Sequence, residues 1–271
     1  MDKYSIFPYL PYLEPETNMS IVATNITNNL TGDFIHKVLQ SKKYFGFDLD
    51  DTLHEFRKAS SYASAAVCDA VHQETRVNPD ALKATYIENL QSRTASAFFD
   101  GCTSVDYRRD RFSRLLQAYG IEASNAMLDR LLDTYQSHLS AALVLKTGAL
   151  SLLQTLKGLD KKIVIITEGP QDAQEWIVRQ LGIAPYIDIL VTTNEIGKSK
   201  VNGLFSAVLE KYGIYPGDIV YVGDNEVRDV RPMKNEGLLA ILYDERRETG
   251  LDDLDTLCIN SLSNLEHIVR S

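Results

Sequence analysis

The sequence predicts an α/β protein, a doubly wound core on a parallel sheet, interrupted by an inserted all-helical unit. Three observations predict it. Past Gly148, short apolar runs alternate with amphipathic helical segments, and the runs are apolar on both faces, as strands covered by helices above and below must be. An earlier run, "KYFGFD", has the same character but is cut off from the others by a long stretch without a convincing strand. Finally, aspartates, a threonine and lysines gather just past the ends of these runs, where open parallel sheets place their ligands.

Each element has its own justification. "FPYLPYLEPETN", residues 7–18, is rich in Pro and Tyr without a period and reads as an extended arm. In "GDFIHKVLQSKK", Phe34, Ile35, Val38 and Leu39 recur at helical spacing, so residues 1–42 make an arm and a short helix. "KYFGFD" is the first strand. Residues 56–146 then read as helix: Phe112, Leu115, Leu116 and Tyr119 share one face, and Leu128, Leu131, Leu132 and Tyr135 share another. This block is the expected helical cap, and residues 43–55 and 147–271 are the expected core. There "ALSLLQTLKG" is helix, "KIVIIT" strand, "QDAQEWIVRQLG" helix, "IDILVTT" strand, "GLFSAVLEKYG" helix, "DIVYVGD" strand, "VRPMKNEG" helix and "LLAILY" strand.

Composition narrows the function classes. The apolar share of 44% and charged share of 24% are those of an ordinary globular protein. A formal charge of -9 argues against a nucleic-acid polymer as partner, because binding one needs a basic surface that releases counterions. Such a chain must handle an anion locally, with a cation. Cys68, Cys102 and Cys258 are far apart, odd in number and without ligand spacing, which suggests a reducing compartment. No basic-then-apolar leader and no apolar run of bilayer length is visible, so a cytoplasmic location and no membrane partner are expected.

The chemistry is concentrated at four strand ends: "DLDDT" with Asp48, Asp50 and Thr52, "IITEG" with Thr167, "GKSK" with Lys198 and Lys200, and "VGDNEVRD" with Asp224 and Asp229. Phosphoryl transfer needs an in-line nucleophile, cations for the equatorial oxygens and an acid for the leaving oxygen. Asp48 and Asp224 alone would repel a phosphate, so the group makes sense only around a divalent cation, and oxygen ligands suit Mg²⁺. The motif order, DxDxT, Thr, Lys and GDxxxxD, resembles the haloacid dehalogenase-like (HAD) hydrolase superfamily across residues 44–53 and roughly 148–270.

That resemblance implies a Rossmann-like core and a division of labour. Asp48 is the nucleophile, and Asp50 the acid and later the base. Asp48, Asp224 and the main-chain carbonyl of Asp50 hold Mg²⁺, and Thr167 and a lysine bind the phosphate. The family register from Glu195 and Gly197 selects Lys200, with Lys198 the alternative. Thr52, Gly169 and Asp229 have supporting places: Thr52 closes the turn, and Asp229 orients the lysine or a metal-bound water. Glu168 stands where the family more usually has Asn, and is expected to cap the following helix or to touch substrate. Family dehalogenases lack the second aspartate and the metal, so Asp50 points to a phosphatase.

An insertion between the first two motifs resembles the type I cap over small soluble substrates. The expected function is therefore a Mg²⁺-dependent phosphomonoesterase for a small phosphorylated metabolite, a nucleoside monophosphate or a sugar or short-chain phosphate, working through an aspartyl-phosphate. Alternatives are a prenyl diphosphate-processing or cyclising enzyme with the same DxD site, and a catalytically idle binding protein on this scaffold. His54 is read as a loop histidine that faces solvent or the cap entrance. Arg108 and Arg111 border the apolar stripe of "DYRRDRFSRLL", where they are either surface charge or a contact for a second anionic group on the substrate.

Overall fold

In the computed structural model, which describes residues 32–91, 101–251 and 256–271, the apolar runs become the strands of one sheet. The elements in chain order are α1 (Gly32–Ser41), β1 (Tyr44–Phe47), α2 (Phe56–Thr75), α3 (Pro79–Gln91), α4 (Ser104–Gln117), α5 (Asn125–Ala142) and α6 (Ala149–Gly158). After these come β2 (Lys162–Thr167), α7 (Gln171–Gln180), β3 (Ile189–Thr192), the single turn α8 (Thr193–Ile196), α9 (Leu204–Tyr212) and β4 (Ile219–Gly223). The chain ends through α10 (Arg231–Asn235), β5 (Leu239–Tyr243), β6 (Gly250–Leu251), β7 (Leu257–Ile259) and α11 (Leu262–Arg270).

The sheet has the order β3-β2-β1-β4-β5-β7-β6, parallel except for the β6–β7 pair. Alternation along the strands separates two cores. Phe45, Phe47, Ile163, Ile165, Val220 and Val222 face α6, α7 and α11, while Val164, Ile166, Val191, Ile219 and Tyr221 face α9 and α10. With both faces covered, every residue of β4 is buried, which explains a run with no polar side. At the centre, β1 admits Gly46 because a side chain there would meet the Tyr221 ring at 2.8 Å.

Two details depart from expectation. The sheet does not stop at "LLAILY": β7 continues it beyond β5, and two-residue β6 closes that edge. Strands this short carry no readable period. The predicted helix over "VRPMKNEG", residues 230–237, forms as the shorter α10, and a π-helical turn that the sequence did not signal, Glu226–Val230, leads into it. The Asn225 side chain accepts from the Val227 and Arg228 amides, and Pro232, which has no N–H to offer, opens the short helix. The predicted arm, residues 7–18, lies outside the described residues. Helix α1 forms as expected and rests on α11, where His36 Nδ1 is 2.7 Å from the Ile268 carbonyl.

Between β1 and α6, helices α2 to α5 enclose an apolar cluster of their own. Ala59, Ala63, Val67 and Val71 at four-residue steps give α2 one small-residue face, which packs mainly on α5 through Leu131, Tyr135 and Leu139. The chain leaves and re-enters the sheet layer side by side: the Glu55 amide donates to the Val144 carbonyl at 3.0 Å and the Lys146 amide to Leu53 at 2.9 Å. Buried Lys146 adds ion pairs of 3.2 Å to both Glu55 and Glu245. No helix among the described residues is long and apolar enough to cross a membrane.

Candidate active site

The site follows from strand order. β1 lies between β2 and β4, so the residues that follow these three neighbouring strands converge at their carboxyl ends. Asp48 follows β1, Thr167 ends β2 and Asp224 follows β4. Asp48 is fastened by its own amide, which donates to the Val222 carbonyl at 2.9 Å.

Lys200 joins them from the loop after β3. It is buried, and its Nζ lies 2.6 Å from Asp48 Oδ1 and 2.6 Å from Asp229 Oδ1. Lys198 is exposed, so the lysine in the site is Lys200. Asp229 is fully engaged: Oδ1 also accepts from the Tyr221 hydroxyl at 3.2 Å, and Oδ2 accepts from the Asn225 amide at 3.0 Å. Gly223 is needed beside it, because a Cβ there would lie 2.5 Å from the Asp229 carboxyl.

Electrostatics set the character of the cluster. Oxygens of Asp48, Asp224 and Asp229 lie within 4.8 Å of one another. Burial pushes the Asp48 carboxyl up to about 7 despite its contact with Lys200, and the charges of Asp229 and Asp50 add to the effect. Asp224 is also raised, first by burial and then by Asp229, although Arg57 lies 2.7 Å away on its Oδ2. Desolvation opposes the charge on Lys200, yet Asp229 and Asp48 outweigh it and hold the ammonium well above its ordinary range. Asp48, Asp224 and Asp229, with Asp50 and Asp51 beside them, thus face two cations, Lys200 and Arg57, and further positive charge is favoured. An all-oxygen carboxylate set of this kind fits a hard divalent ion such as Mg²⁺.

Three expectations are corrected, and one left open is narrowed. His54 is neither a solvent-facing nor a substrate-facing residue: it is fully buried, and its Nε2 lies 2.9 Å from Asp50 Oδ1. The isolated bridges Asp50–His54 and His54–Leu145 clamp it between the motif loop and the returning chain. Thr52 does not close the turn through its hydroxyl, which is buried without a hydrogen-bond partner; the Asp51 amide closes it by donating to the His54 carbonyl at 2.9 Å. Glu168 does not cap the next helix, whose N-cap is Pro170 without a side-chain bond. Its Oε1 accepts the Lys200 amide at 2.9 Å, and its other oxygen pairs with Arg228. The four arginines of α4 divide: Arg109 pairs with Asp129 and Arg114 with Asp110, whereas Arg108 and Arg111 turn inward.

A cavity of about 250 Å³ separates the helical insertion from the strand ends. Asp50, Glu168, Gly169 and Ser199 line it from the sheet side, and Phe56, Ser60, Arg108, Arg111 and Tyr135 from the helices. Gly169 adopts φ +149, and a Cβ there would lie 2.8 Å from Gln174 Nε2. That Nε2 in turn donates to Asp50 Oδ2 at 3.3 Å. The buried hydroxyls of Thr167, Thr193 and Ser199 have no hydrogen-bond partner among the described residues, so this end of the sheet offers unused donors.

Gln174, Arg57, Ser199 and Arg228 went unnoticed in the sequence. Each reaches the site from a helix or loop whose orientation only the fold reveals. Ser199 alone had a signal, its place next to Lys200.

A mostly parallel sheet with acids at its carboxyl ends and helices inserted after β1 defines the class. The chain belongs to the haloacid dehalogenase-like hydrolase family, which it matches over residues 42–237, and it is an enzyme of that family. It is 27% identical over 230 residues to the glyceraldehyde 3-phosphate phosphatase of Methanocaldococcus jannaschii, covering 83% of this chain and 96% of that protein. The pyrimidine 5'-nucleotidase PynA of Streptococcus pneumoniae is 24% identical over 203 residues, 74% of this chain and 83% of its own. Among solved structures, the magnesium-bound HAD-hydrolase YfnB of Bacillus subtilis superposes with a TM-score of 0.65 at 24% identity, covering 85% of this chain and 99% of that one.

Proposed function

We propose that the protein is a Mg²⁺-dependent phosphomonoesterase acting on a small phosphorylated metabolite, with the helical insertion as its cap. The observation that carries this reading is Asp48, buried just past the interior strand β1 with Lys200 at 2.6 Å. A carboxylate so placed is a nucleophile beside a fixed counter-charge for the phosphoryl group. The phosphatases and nucleotidase among the relatives support a small phosphate ester as substrate.

In this reading an Asp48 oxygen attacks phosphorus in line with the ester oxygen. The P–O bond to the leaving group breaks as the Asp48–phosphoryl bond forms, and Asp50 gives its proton to the departing alkoxide. Asp50 then takes a proton from water, whose oxygen attacks the aspartyl-phosphate, releasing inorganic phosphate and restoring Asp48. His54 and Gln174 hold the two Asp50 oxygens, which keeps the acid aimed at the leaving group. Lys200 and the free Thr167 hydroxyl bind phosphoryl oxygens, and Asp229 keeps Lys200 in place. The carboxylates of Asp48 and Asp224, with the Asp50 carbonyl, would hold Mg²⁺. Bound there, the ion neutralises charge on the phosphoryl oxygens.

The test is a panel of phosphate esters assayed with Mg²⁺ and with EDTA. Release of phosphate from at least one short-chain or nucleoside monophosphate, lost with EDTA and with Asp48→Asn in a folded protein, is expected. Full activity in Asp48→Asn would overturn the assignment.

A further inference from the structure

Resting on the phosphatase reading for the reacting group, we propose that Arg108 and Arg111 form a second anion site in the cavity. The preferred substrate is then a short phosphate ester bearing another oxyanion, a carboxylate or a second phosphate.

Several charged groups around the cavity already have partners. Glu168 is paired with Arg228, and Asp50 is held by His54 and Gln174. Arg109 and Arg114, on the same helix, have carboxylate partners outside the cavity. Among the described residues, neither Arg108 nor Arg111 has a carboxylate in ion-pair contact, and the Asp172 carboxylate acts on Arg108 only at longer range. Arg108 donates to the neutral Gln136 Oε1 at 2.9 Å with its guanidinium carbon 4.9 Å from the Tyr135 ring centre, and Arg111 donates to the Tyr86 hydroxyl at 3.0 Å, 5.6 Å from that ring's centre.

These contacts orient two guanidiniums without neutralising them. Both are half-buried, one turn apart on one face of α4. In a protein of formal charge -9, an unpaired pair of cations sheltered from water carries a desolvation cost that an anionic ligand would offset. Burial indeed holds Arg108 below the usual guanidinium range. Each guanidinium fork retains donors beyond those it uses, and its planar geometry suits carboxylate or phosphate. The cavity brings them opposite Asp50, Gly169 and Ser199, so a substrate with its phosphoryl group at the strand ends points its other end at α4.

The test compares substrates that differ in one anionic group: 3-phosphoglycerate with glycerol 3-phosphate, and fructose 1,6-bisphosphate with fructose 6-phosphate. In the wild type, kcat/KM is expected to favour at least one doubly anionic member by tenfold or more, mainly through KM. The first pair reports on a carboxylate and the second on a phosphate. In Arg108→Gln and Arg111→Gln that ratio should collapse towards one, whereas Arg109→Gln, whose partner is the external Asp129, should leave it intact. An unchanged ratio in the Gln variants, or no preference in either wild-type pair, overturns the proposal.

Calorimetric binding of the same pairs to Asp48→Asn with Mg²⁺ separates this idea from the phosphatase reading. Tighter binding of the doubly anionic ligand, lost in the Arg→Gln double variants, supports the site even if no ester is hydrolysed. Equal binding within a pair that hydrolysis also fails to distinguish counts against it.

Discussion

Lys200 sits where two buried carboxylates meet, and its removal is not a surface event. Lys200→Ala leaves Asp48 and Asp229 buried without their cation, which costs about 3–5 kcal/mol of stability. Transition-state stabilisation falls by about 3 kcal/mol as well, as when one strong electrostatic contact is lost. Lys198→Ala, at an exposed position, should change each by less than about 0.5 kcal/mol. Urea unfolding and kcat/KM check both, and equal effects of the two substitutions would contradict the geometry.

Asp48 makes the opposite case, a residue that weakens the fold it serves. Its pKa is raised from 3.8 to about 7, so between those values the folded state binds more protons than the unfolded chain. Stability therefore falls as pH rises through this window, and the whole deficit is present above it. Asn in its place mimics the protonated form. Metal-free Asp48→Asn should melt above the wild type near about pH 8, with the gap narrowing towards about pH 5. A gap independent of pH would show that Asp48 is not the source.

At the scale of elements, the position of α4 decides where Arg108 and Arg111 point. Thr103 caps the helix in a reciprocal bond pair with Asp106, and the next residue, Ser104, fastens it to α7. The Ser104 amide and hydroxyl donate to the Asp172 carboxylate at 2.9 and 2.7 Å. α7 also carries Gln174, so one helix holds both Asp50 and α4 in place. Asp172 is exposed, and its loss should cost only about 1 kcal/mol, a fall of about 2–4 °C in Tm. The kinetic effect should be larger in proportion, a several-fold rise in KM for the best substrate with kcat little changed. Steady-state kinetics beside a melting curve would detect it, and a fall in kcat alone would mean that Asp172 acts on the acid instead.

Across the whole molecule, what the sequence revealed depended on the range of the interaction. The five longer strands were legible because a strand covered on both faces has an apolar signature of its own. Asp48, Thr167 and Asp224 were legible because parallel strands bring their carboxyl ends to one edge whatever the packing, whereas Lys200 was told from Lys198 only by the family register of Glu195 and Gly197. β6 and β7 were not, being too short for a period. Nor were the partnerships of His54 with Asp50, Glu168 with the Lys200 amide, or Arg57 with Asp224, which depend on how loops and helices pack around the strand ends. His54 shows the limit well: four residues from Asp50 in the chain, it looked like loop polarity until the returning segment at Leu145 buried it.

The paired amides at Glu55 and Lys146 have a consequence for how such a protein can change. The segments around Leu53 and Val144 run side by side as the two arms of a hairpin whose turn is an entire helical bundle. Arms already at ladder distance can be joined by two residues, since that is the span a tight turn bridges. Helical bundle or simple loop, the lower storey meets the same two attachment points, and Asp48, Lys200 and Asp224 all belong to that storey. Lineages could thus exchange the whole helical block by insertion or deletion at one seam while the strand ends beneath are inherited unchanged.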